Sequence, residues 1–582
     1  MKEYLSKLLT KEFHIPKIHV LHRVITSFNF TEKIFFIFFA ICMSVTSLIL
    51  LAHVNSTFNT PVPVSGGTLK EGIIGSPRFI NPLLALSDAD RDLVTLTYSG
   101  LMRADENGTL IPDLAESYTL SEDGKTYTFT LKDGLTFHDN VPLTTKDIAF
   151  TIARAQDPLL RSPKRVNWDG VTVSVIDDKT ISFTLERPYA PFLENTTIGI
   201  VPKHVWESAD SEEFPFSQFN TEPVGSGPYE LVRTKRDASG IPQYYDLKPF
   251  KNYALGEPYI SHIRIAFFSN EKDLLNAYYD NDIDQLHSIN PQNADTLMKD
   301  GAIIKRTPLP RIFAVFFNQN ESTLFASKSI RKALNTALDK EKIVQVVLGG
   351  YGVPLNSPIP PGLLDPHEQA TISTSDQEVR LKEAEDILRE AGWKRDEETS
   401  ILEKESRPLS FAISTSNTPE LKAAAEMVAE TWNTLGADVT VKVFDTSDLN
   451  QNVIRPRKFE ALLFGEVIGR DMDFFAFWHS SQRNDPGLNV ALYTNITVDA
   501  LLEKARIEQD TEKRSDQYLS FKEEVMKDIP AVFLYVPEFI YVISSDIDHI
   551  AFGQPTIPSD RFASIYTWNI NSKNVWNFFK AK

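Results

Sequence analysis

The stretch Leu409–Phe444 reads LSFAISTSNTPELKAAAEMVAETWNTLGADVTVKVF, and its pattern predicts the fold class. Apolar residues alternate with polar ones at 409 to 413 and again at 439 to 443, which predicts two strands. Between them, a helix is predicted to begin at Pro419 and to end at Gly436. A strand, helix, strand unit of this kind places its two strands in parallel. This half of the chain is therefore predicted to be α/β.

The region before this unit, from about residue 66 to residue 300, is rich in strand signals. Apolar residues alternate at 127 to 131, directly after the turn dipeptide Asp123-Gly124. A second pair of alternating runs, at 171 to 175 and 181 to 185, is joined through Asp177-Asp178. These patterns predict a mixed sheet with few helices.

Between the two regions, apolar residues follow helical spacing from Ile330 to Leu348 and stop at Gly349-Gly350. This spacing predicts one amphipathic helix with a glycine stop signal. The chain is thus predicted to contain one mixed lobe and one α/β lobe.

Length and charge exclude several classes of protein. At 582 residues, the chain is long enough for more than one domain. Hydrophobic residues make up 42% and charged residues 24%, which is ordinary for a folded protein. The formal net charge of −18 repels phosphate backbones, so a nucleic-acid partner is not expected.

The amino-terminal segment predicts a membrane anchor. The uncharged run from Ile34 to Leu51, IFFIFFAICMSVTSLILL, is long enough to cross most of a ~30 Å hydrocarbon core. Basic residues precede it, which predicts a cytoplasmic amino terminus and an extracytoplasmic body after His53. A cleavable signal peptide or a lipoprotein signal is the alternative, but the run is long and Ile41 precedes Cys42.

The anchor fixes the first three predicted segments: 1–33 is a cytoplasmic basic segment, 34–54 the transmembrane anchor, and 55–65 a polar, Pro-containing linker. The predicted location is therefore the cell membrane, with a single pass and the body on the periplasmic side or the cell surface. Cys42 is the single cysteine, so the sequence allows no intrachain disulfide and no cysteine-based metal site.

Catalytic motifs are missing from the sequence. It has no H-E-x-x-H, no G-x-S-x-G elbow, no phosphate-binding loop and no dinucleotide fingerprint. Gly225 and Gly227, in the run GSGP, are interpreted as turn or hinge residues because they lack the lysine and helix start of a phosphate cradle. The histidines show no metal-ligand spacing, so we predict no metal and no cofactor.

One charged group follows an apolar run and is a candidate for ligand binding. Arg470, Asp471 and Asp473 come directly after the strand-like run Phe464–Gly469. Charges at the end of a buried strand tend to line a cleft, where a carboxylate can pair with an amine and a guanidinium with a carboxylate. The alternative is an ordinary loop salt bridge. The adjacent aromatic residues are interpreted as core.

Several ordered motifs resemble the signature of the family 5 extracellular solute-binding proteins, the peptide- and nickel-type binding components of ABC importers. The resemblance extends from residue 66 to the end of the chain. Its motifs are GGTLKEGI at 66–73, DLVTLTYSGLMR at 92–103, the run from LIPDLAESYTL to AFTIAR at 110–154, PVGSGPYEL at 223–231, IRKALNTALDKEKIV at 330–344, AEDILREAGW at 384–393, the run from DALLEKARIEQ to SFKEEV at 499–525, and IPAVFLY at 529–535.

The resemblance implies a type II periplasmic-binding-protein fold, an α/β fold in which two lobes close around a ligand, with an additional inserted domain. It implies a discontinuous lobe I at 66–107, 224–318 and 545–582, an inserted domain at 108–223 and lobe II at 319–544. It also implies a monomeric protein without enzymatic activity. Such a protein captures a peptide or similar small solute and delivers it to an ABC permease.

The resemblance also concerns the ligand site, and here the sequence departs from the family pattern. Peptide binders of the family often have a Gly-Trp pair followed by an aspartate that accepts the peptide amino terminus. In this chain Glu466 stands at the tryptophan position and Gly469 near the aspartate position, with Asp471 or Asp473 as alternatives after a short shift. The remaining ligand-binding candidates are Ser87, Asp88, Asn318 and Arg470.

Three other functions remain open from the sequence. The first is a ligand sensor that signals without transport, and the second is a binder of a non-peptide solute such as a sugar, a metal chelate or a haem-like compound. The third is a peptidase or other hydrolase that uses Asp471 and Asp473 as an acid-base pair. This third function lacks a nucleophile, a metal and a paired-acid context in the sequence.

Overall fold

The computed structural model describes residues 18–105, 108–364, 376–470, 472–551, 553 and 555–576. The chain divides into two compact units, one formed by the residues up to Val64 with those from Asn571 onward and the other by Ser65–Ile570. The longer helices are α1 Ile18–Ser27, α2 Phe30–Phe58, α3 Asp88–Thr97, α4 Thr145–Gln156, α5 Glu271–Tyr279, α6 Pro291–Lys299, α7 Lys328–Thr336, α8 Lys340–Val347, α9 Gln377–Glu390, α10 Pro419–Leu435, α11 Ile496–Ile507 and α12 Thr511–Asp528.

The strands follow the same order along the chain. They are β1 Asn59–Val64, β2 Thr68–Ile74, β3 Met102–Ala104, β4 Leu110–Pro112, β5 Ala115–Leu120, β6 Thr126–Leu131, β7 Thr172–Val175, β8 Thr180–Thr184, β9 Tyr229–Arg236, β10 Pro242–Pro249, β11 His262–Phe268, β12 Gln285–His287, β13 Ile303–Pro308, β14 Arg311–Phe317, β15 Gly352–Pro354, β16 Lys394–Arg395, β17 Leu402–Lys404, β18 Arg407–Pro408, β19 Ser410–Ser416, β20 Asp438–Phe444, β21 Ala461–Val467, β22 Ala531–Ile543 and β23 Asn571–Trp576.

The smaller unit contains one long apolar helix and a two-stranded ribbon. Helix α2 begins after a capping box at Asn29, where the side chain accepts a hydrogen bond from the backbone N–H of Glu32. In the part of the chain that the structure describes, it is the one helix long and apolar enough to cross a membrane, and none of its residues is buried. It ends at Phe58, and the predicted linker instead contains its last turn and strand β1, which pairs antiparallel with β23.

The predicted strand, helix, strand unit is confirmed. Strands β19 and β20 run parallel and in register from the pair Ser410 and Asp438 onward, and α10 connects them. Helix α10 ends at Leu435 and is capped by Gly436, whose φ of 106° lies in the left-handed region that glycine adopts without strain. Its apolar face is buried against the sheet, and Trp432 lies in the core there. The α/β fold class predicted from this stretch is therefore correct.

A single extended sheet connects the two lobes. One half, the lobe I half-sheet, has the order β9, β10, β11, β2, β12, and the other, the lobe II half-sheet, has the order β14, β21, β19, β20. Strand β22 belongs to both, because its first residues pair with β14 and Glu538–Ile543 pair with β13. The chain therefore passes between the half-sheets at Leu309–Pro310 and near Pro537. Both crossings come before the boundaries at 318/319 and 544/545 that the resemblance implied.

A separate four-stranded sheet lies within residues 108–223, with the order β5, β6, β8, β7. Both predicted hairpins are present, since β5 pairs with β6 and β7 with β8 in antiparallel fashion. Gly124 in the first turn has a φ of 69°, which explains the glycine. Phe129 and Phe183 of this sheet pack into the same core as Leu69 of β2.

The single helix predicted from Ile330 to Leu348 is wrong. The structure has two helices, α7 and α8, and the second begins at Lys340, directly after its cap residue Asp339. The carboxylate of Asp339 accepts a hydrogen bond from the backbone N–H of Lys342 at 2.9 Å, which is a helix cap. The apolar spacing continued across the break because both helices bury the same side against the lobe II half-sheet.

Candidate functional site

A cavity of about 400 Å³ lies between the lobes, and we call it the cleft cavity. Helix α3 and the residues that follow it form one wall, and residues from 164 to 199 form another. Gly469 and Arg470 of lobe II and the segment from Thr556 to Ala563 complete the lining. The size lies within the range of small-ligand pockets.

Arg470 crosses this cavity with two ion pairs. Its Nη1 donates to Oε1 of Glu194 at 2.9 Å, and its Nη2 donates to Oδ2 of Asp560 at 2.7 Å. Arg470 follows β21 of lobe II, Glu194 belongs to the region of the four-stranded sheet, and Asp560 belongs to the turn Pro558–Phe562. Burial would lower the pKa of Arg470, but Asp560 and Glu194 outweigh burial and raise it. One guanidinium therefore joins three parts of the molecule.

A second contact between parts of the chain is formed by Asp473. Its carboxylate accepts hydrogen bonds from Nε and Nη2 of Arg506, the shortest at 2.7 Å, and from the Tyr189 hydroxyl at 3.2 Å. The Arg506 guanidinium lies over the Phe475 ring at 4.0 Å, and its carbonyl accepts from the backbone N–H of Ala190 at 2.8 Å. Asp473 is thus engaged in holding lobe II to residues 189 and 190, and it does not line the cleft cavity.

Glu466 lies in the core. It sits on β21, is 5% exposed, and its Oε2 has no hydrogen-bond partner in the described part of the chain. Burial raises the pKa of its carboxyl well above the usual range, which favours the neutral acid. Glu466 is not among the residues that line the cleft cavity, although it was predicted to contact the ligand.

Three other predicted site residues have structural contacts. Ser87 caps α3, and its hydroxyl accepts from the backbone N–H of Asp90 at 3.1 Å. Asp88 forms an ion pair with Arg91 at 3.6 Å. Asn318 is buried, and its Oδ1 accepts from the backbone of Asn320 at 3.0 Å. None of these three predicted residues lines the cleft cavity, and the remaining candidate, Asp471, lies outside the described residues.

The glycines at 225 and 227 allow a close approach of two backbones. The backbone N–H of Gly227 donates to the carbonyl of Thr97 at 2.9 Å. A Cβ atom on either glycine would collide with the backbone of Thr97. Neither has a positive φ, and the crossings between the half-sheets occur elsewhere in the chain. The geometry therefore accounts for both glycines through packing against the end of α3.

Sequence reasoning missed a buried ionic cluster beneath the cleft cavity. Arg561 donates to Oδ2 of Asp92 at 2.7 Å and to Oε1 of Glu71 at 2.9 Å, and all three side chains have no exposed surface. Burial would lower the pKa of Arg561, but the two carboxylates raise it. The Tyr541 hydroxyl donates to Oε2 of Glu71 at 2.8 Å. The cluster fixes α3 and the turn Pro558–Phe562, which both line the cavity.

Two further cations of the cavity wall were also not predicted. Lys164 and Arg91 both line the cleft cavity. Within the described ranges, Lys164 forms no ion pair, while Arg91 pairs with the partly exposed Asp88. Burial, and then the positive charge of Arg91, lower the pKa of Lys164. No sequence motif marks this pair, because the two residues lie far apart along the chain and only the folded chain brings them to one cavity.

The described residues contain no group of three or more His, Cys, Asp or Glu side chains arranged to hold a metal ion. The charged groups of the cavity wall can instead form ion pairs and hydrogen bonds with a polar organic solute. Two lobes connected by two crossing segments around a cavity define the class of protein: a two-lobed binding protein of the type II periplasmic kind.

Comparison with known proteins identifies the family. Residues 109–486 match the model of the bacterial extracellular solute-binding proteins, family 5. The chain belongs to this family, which consists of substrate-binding transport proteins. The predicted resemblance is thereby confirmed.

Individual relatives agree over most of the chain. The chain is 28% identical over 481 residues to the oligopeptide-binding protein AppA of Bacillus subtilis, covering 82% of this chain and 87% of that one. It is similar to the structure of that protein in complex with a nonapeptide, with a TM-score of 0.66 and coverage of 88% and 100%. It is also similar to the structure of NikZ from Campylobacter jejuni with Ni(L-His), at 26% identity, a TM-score of 0.67 and coverage of 86% and 99%.

Proposed function

We propose that the chain is a membrane-anchored, extracytoplasmic solute-binding protein that captures a peptide or similar small solute by lobe closure and delivers it to an ABC permease. The observation that carries the proposal is Arg470, which reaches from lobe II across the cleft cavity to Glu194 and Asp560. Ion pairs of this kind exist only when the lobes are together. They therefore contribute to the difference in free energy between open and closed forms.

The domain scheme is part of the proposal. The resemblance implied lobe I at 66–107, 224–318 and 545–582, the inserted domain at 108–223 and lobe II at 319–544. The strand pairing moves both lobe boundaries to the crossings, so lobe I would take 224–310 and 538–582, and lobe II would take 311–537. The two crossings of the chain at Leu309–Pro310 and near Pro537 support a hinge between the lobes, because short extended segments can absorb a rotation there. We place the hinge at these crossings and not at Gly225 and Gly227.

The cavity wall suggests how an amino acid derivative would bind. Lys164 and Arg91 offer positive charge to a ligand carboxylate, and Lys164 has no competing ion pair in the described part of the chain. The ligand amine would compete with Arg470 for Glu194. A peptide carries both a carboxylate and an amine, and the relatives of this chain include an oligopeptide-binding protein. We propose Lys164, Arg91, Arg470 and Glu194 as the ligand contacts, with Asp471 as a further candidate.

A non-peptide solute is the second candidate, since the solved structure of NikZ contains Ni(L-His). A chelate of that type also presents carboxylates and amines, so the same wall would serve. A ligand sensor without transport would use the same cleft. We propose no enzymatic activity, because the two cavity carboxylates Glu194 and Asp560 are both engaged in ion pairs with Arg470 and the sequence carries no catalytic motif.

The anchor is proposed from helix α2 and its continuous apolar surface. Tethering would keep the monomeric binding protein close to its permease and raise its effective concentration there.

Native mass spectrometry of the full chain in detergent tests the proposal. We expect a bound mass that is released on unfolding, and a peptide ladder would identify a peptide carrier. A natural chain without bound mass that also fails to bind peptide mixtures would overturn the peptide assignment. For a comparison with Arg470→Met, the matched control is Arg455→Met, since Arg455 is exposed and pairs with Asp485 away from the cavity.

A further inference from the structure

Strands β1 and β23 form a two-stranded ribbon. Its six residue pairs run from Asn59 opposite Trp576 to Val64 opposite Asn571. No third strand joins it in the described part of the chain, and none of its residues is fully buried. An isolated pair of strands is marginally stable in water. A further surface against the ribbon would therefore stabilise it.

The ribbon begins where the apolar helix ends. Helix α2 ends at Phe58 and β1 begins at the next residue, so the pair of Asn59 and Trp576 lies at the helix terminus. The indole N–H of Trp576 donates to Oδ1 of Asn55, in the last turn of α2, at 2.8 Å. The ring is 41% exposed, and Phe58 is 38% exposed. Two aromatic side chains thus lie at one end of a candidate membrane span.

Another protein strand is a poor partner for the free edge of β1. Pro61 and Pro63 have the same parity, so their missing N–H groups fall on the same edge of the strand. That edge cannot form a full ladder with an added strand. Trp576 and Phe58 can instead insert into the headgroup region, where tryptophan is enriched because its ring is apolar and its N–H is polar.

We propose that the β1–β23 ribbon lies on the lipid headgroup layer, with Trp576 as its interfacial anchor. The carboxyl-terminal strand is then a second membrane contact besides helix α2. The chain enters the larger unit at Ser65 and leaves it at Ile570, so both covalent connections of that unit pass through the ribbon. Beyond Trp576 the sequence continues with NFFKAK, whose phenylalanines and lysines have the composition of interfacial segments. The inference rests on the proposed anchoring by α2.

The test uses the full chain in phosphatidylcholine and phosphatidylglycerol vesicles that contain brominated lipids, which quench nearby tryptophan fluorescence. The chain has seven tryptophans, so the natural chain is compared with Trp576→Phe and with the matched control Trp393→Phe, a buried residue of the larger unit. We expect Trp576→Phe to remove most of the lipid-dependent quenching and Trp393→Phe to leave it. Equal quenching in all three would overturn the proposal.

Three further readouts separate the possible failures. Loss of the chain from vesicles in an alkaline wash would contradict the anchoring itself. Retention of the chain without quenching of Trp576 would contradict only the lipid contact of the ribbon. A blue shift of the Trp576 fluorescence that requires a co-reconstituted permease would assign the ribbon to a protein partner and overturn the lipid assignment. In a Cys42→Ser background, a disulfide between Pro61→Cys and Asn574→Cys should form, because these positions are directly opposite. The pair Pro61→Cys and Lys573→Cys should not.

Discussion

Two arginines of this molecule each bind two carboxylates, and their surroundings differ. Arg561 holds Glu71 and Asp92 inside lobe I with no exposed surface on any of the three side chains. Arg470 holds Glu194 and Asp560 across the cleft cavity, where the arginine side chain is 15% exposed. The chemistry is the same in both clusters. The difference lies in which parts of the chain each cluster joins.

Under the proposed lobe closure, the comparison predicts that one cluster is fixed and the other reversible. Opening the lobes would leave the Arg561 cluster intact, because its partners lie on β2, α3 and the turn Pro558–Phe562, all on one side of the cleft. The same motion would break the pairs of Arg470 and return its guanidinium to water. Water can solvate the Arg470 group, whereas the charges of the fully buried cluster would stay buried without partners if they were separated, which costs much free energy. The first arrangement suits a rigid wall and the second a closing lobe.

The largest effect is expected for Arg561→Met. The substitution leaves Glu71 and Asp92 buried without their cation, so the free energy of unfolding should fall by about 3 to 5 kcal/mol. Denaturant titration measures it. The matched control is Arg233→Met, which removes a mostly exposed partner of Asp246 while Arg264 still pairs with that carboxylate at 2.8 Å. Equal losses in both variants would remove the distinction between the clusters.

A smaller and different effect is expected for Arg470→Met. The ion pairs that join the lobes exist only in the closed form, so the substitution destabilises that form alone. Ligand affinity should therefore fall by about 10- to 100-fold, which corresponds to roughly 1.4 to 2.8 kcal/mol. Titration calorimetry with the ligand found by mass spectrometry measures it. Arg455→Met serves again as control. Unchanged affinity together with a large loss of stability would assign Arg470 to the fixed type.

Glu466→Leu should increase stability at neutral pH by about 1 to 3 kcal/mol, since it replaces a buried carboxyl by an apolar side chain of similar size. The pKa of Glu466 is raised in the folded state. The folded chain therefore holds a proton that the unfolded chain releases, and stability falls as pH rises from the ordinary glutamate pKa toward the raised one. Denaturation curves across this pH range should lose that slope in the variant. A weaker ligand affinity in Glu466→Leu would instead support direct contact with the ligand.

The smallest effect is expected for Lys164→Met. Loss of one partly hydrated charge should weaken binding of a ligand carboxylate by about 3- to 10-fold. A ligand with an amidated carboxyl terminus should bind both proteins equally. The control Lys179→Met changes an exposed lysine that pairs with Asp133 on the four-stranded sheet. A loss that is equal for acid and amide would show that Lys164 does not bind the carboxylate.

The sequence predicted the fold well because its evidence is local. Its signals arise from residues that are close in sequence within one strand, helix, strand unit: the alternation at 409 to 413 and 439 to 443, and the stop at Gly436. The helix break at Asp339 was missed because a cap residue inside a continuous apolar stripe does not change the spacing. The membership of β22 in both half-sheets could not be predicted, since pairing with β13 and β14 depends on contacts distant in sequence.

The candidate site was predicted only in part, for a related physical reason. Gly469 and Arg470 follow an apolar strand, and that signal placed them at the cavity. Glu194, Asp560 and Lys164 come from separate segments that only the folded chain brings together. Glu466 lies outside the lining of the cleft cavity, and the sequence could not show this because a strand position does not reveal which face of the sheet is covered.

The central claim, that the lobes close on a ligand in the cleft, is tested most directly by the distance between labels on the two sides. Single cysteines at Val175 and Val443, both exposed, would carry spin labels in the full chain with Cys42→Ser. Addition of ligand should replace a broad distance distribution by a shorter and narrower one, and Arg470→Met should reduce the closed fraction. A distribution that stays unchanged while calorimetry records binding would contradict lobe closure.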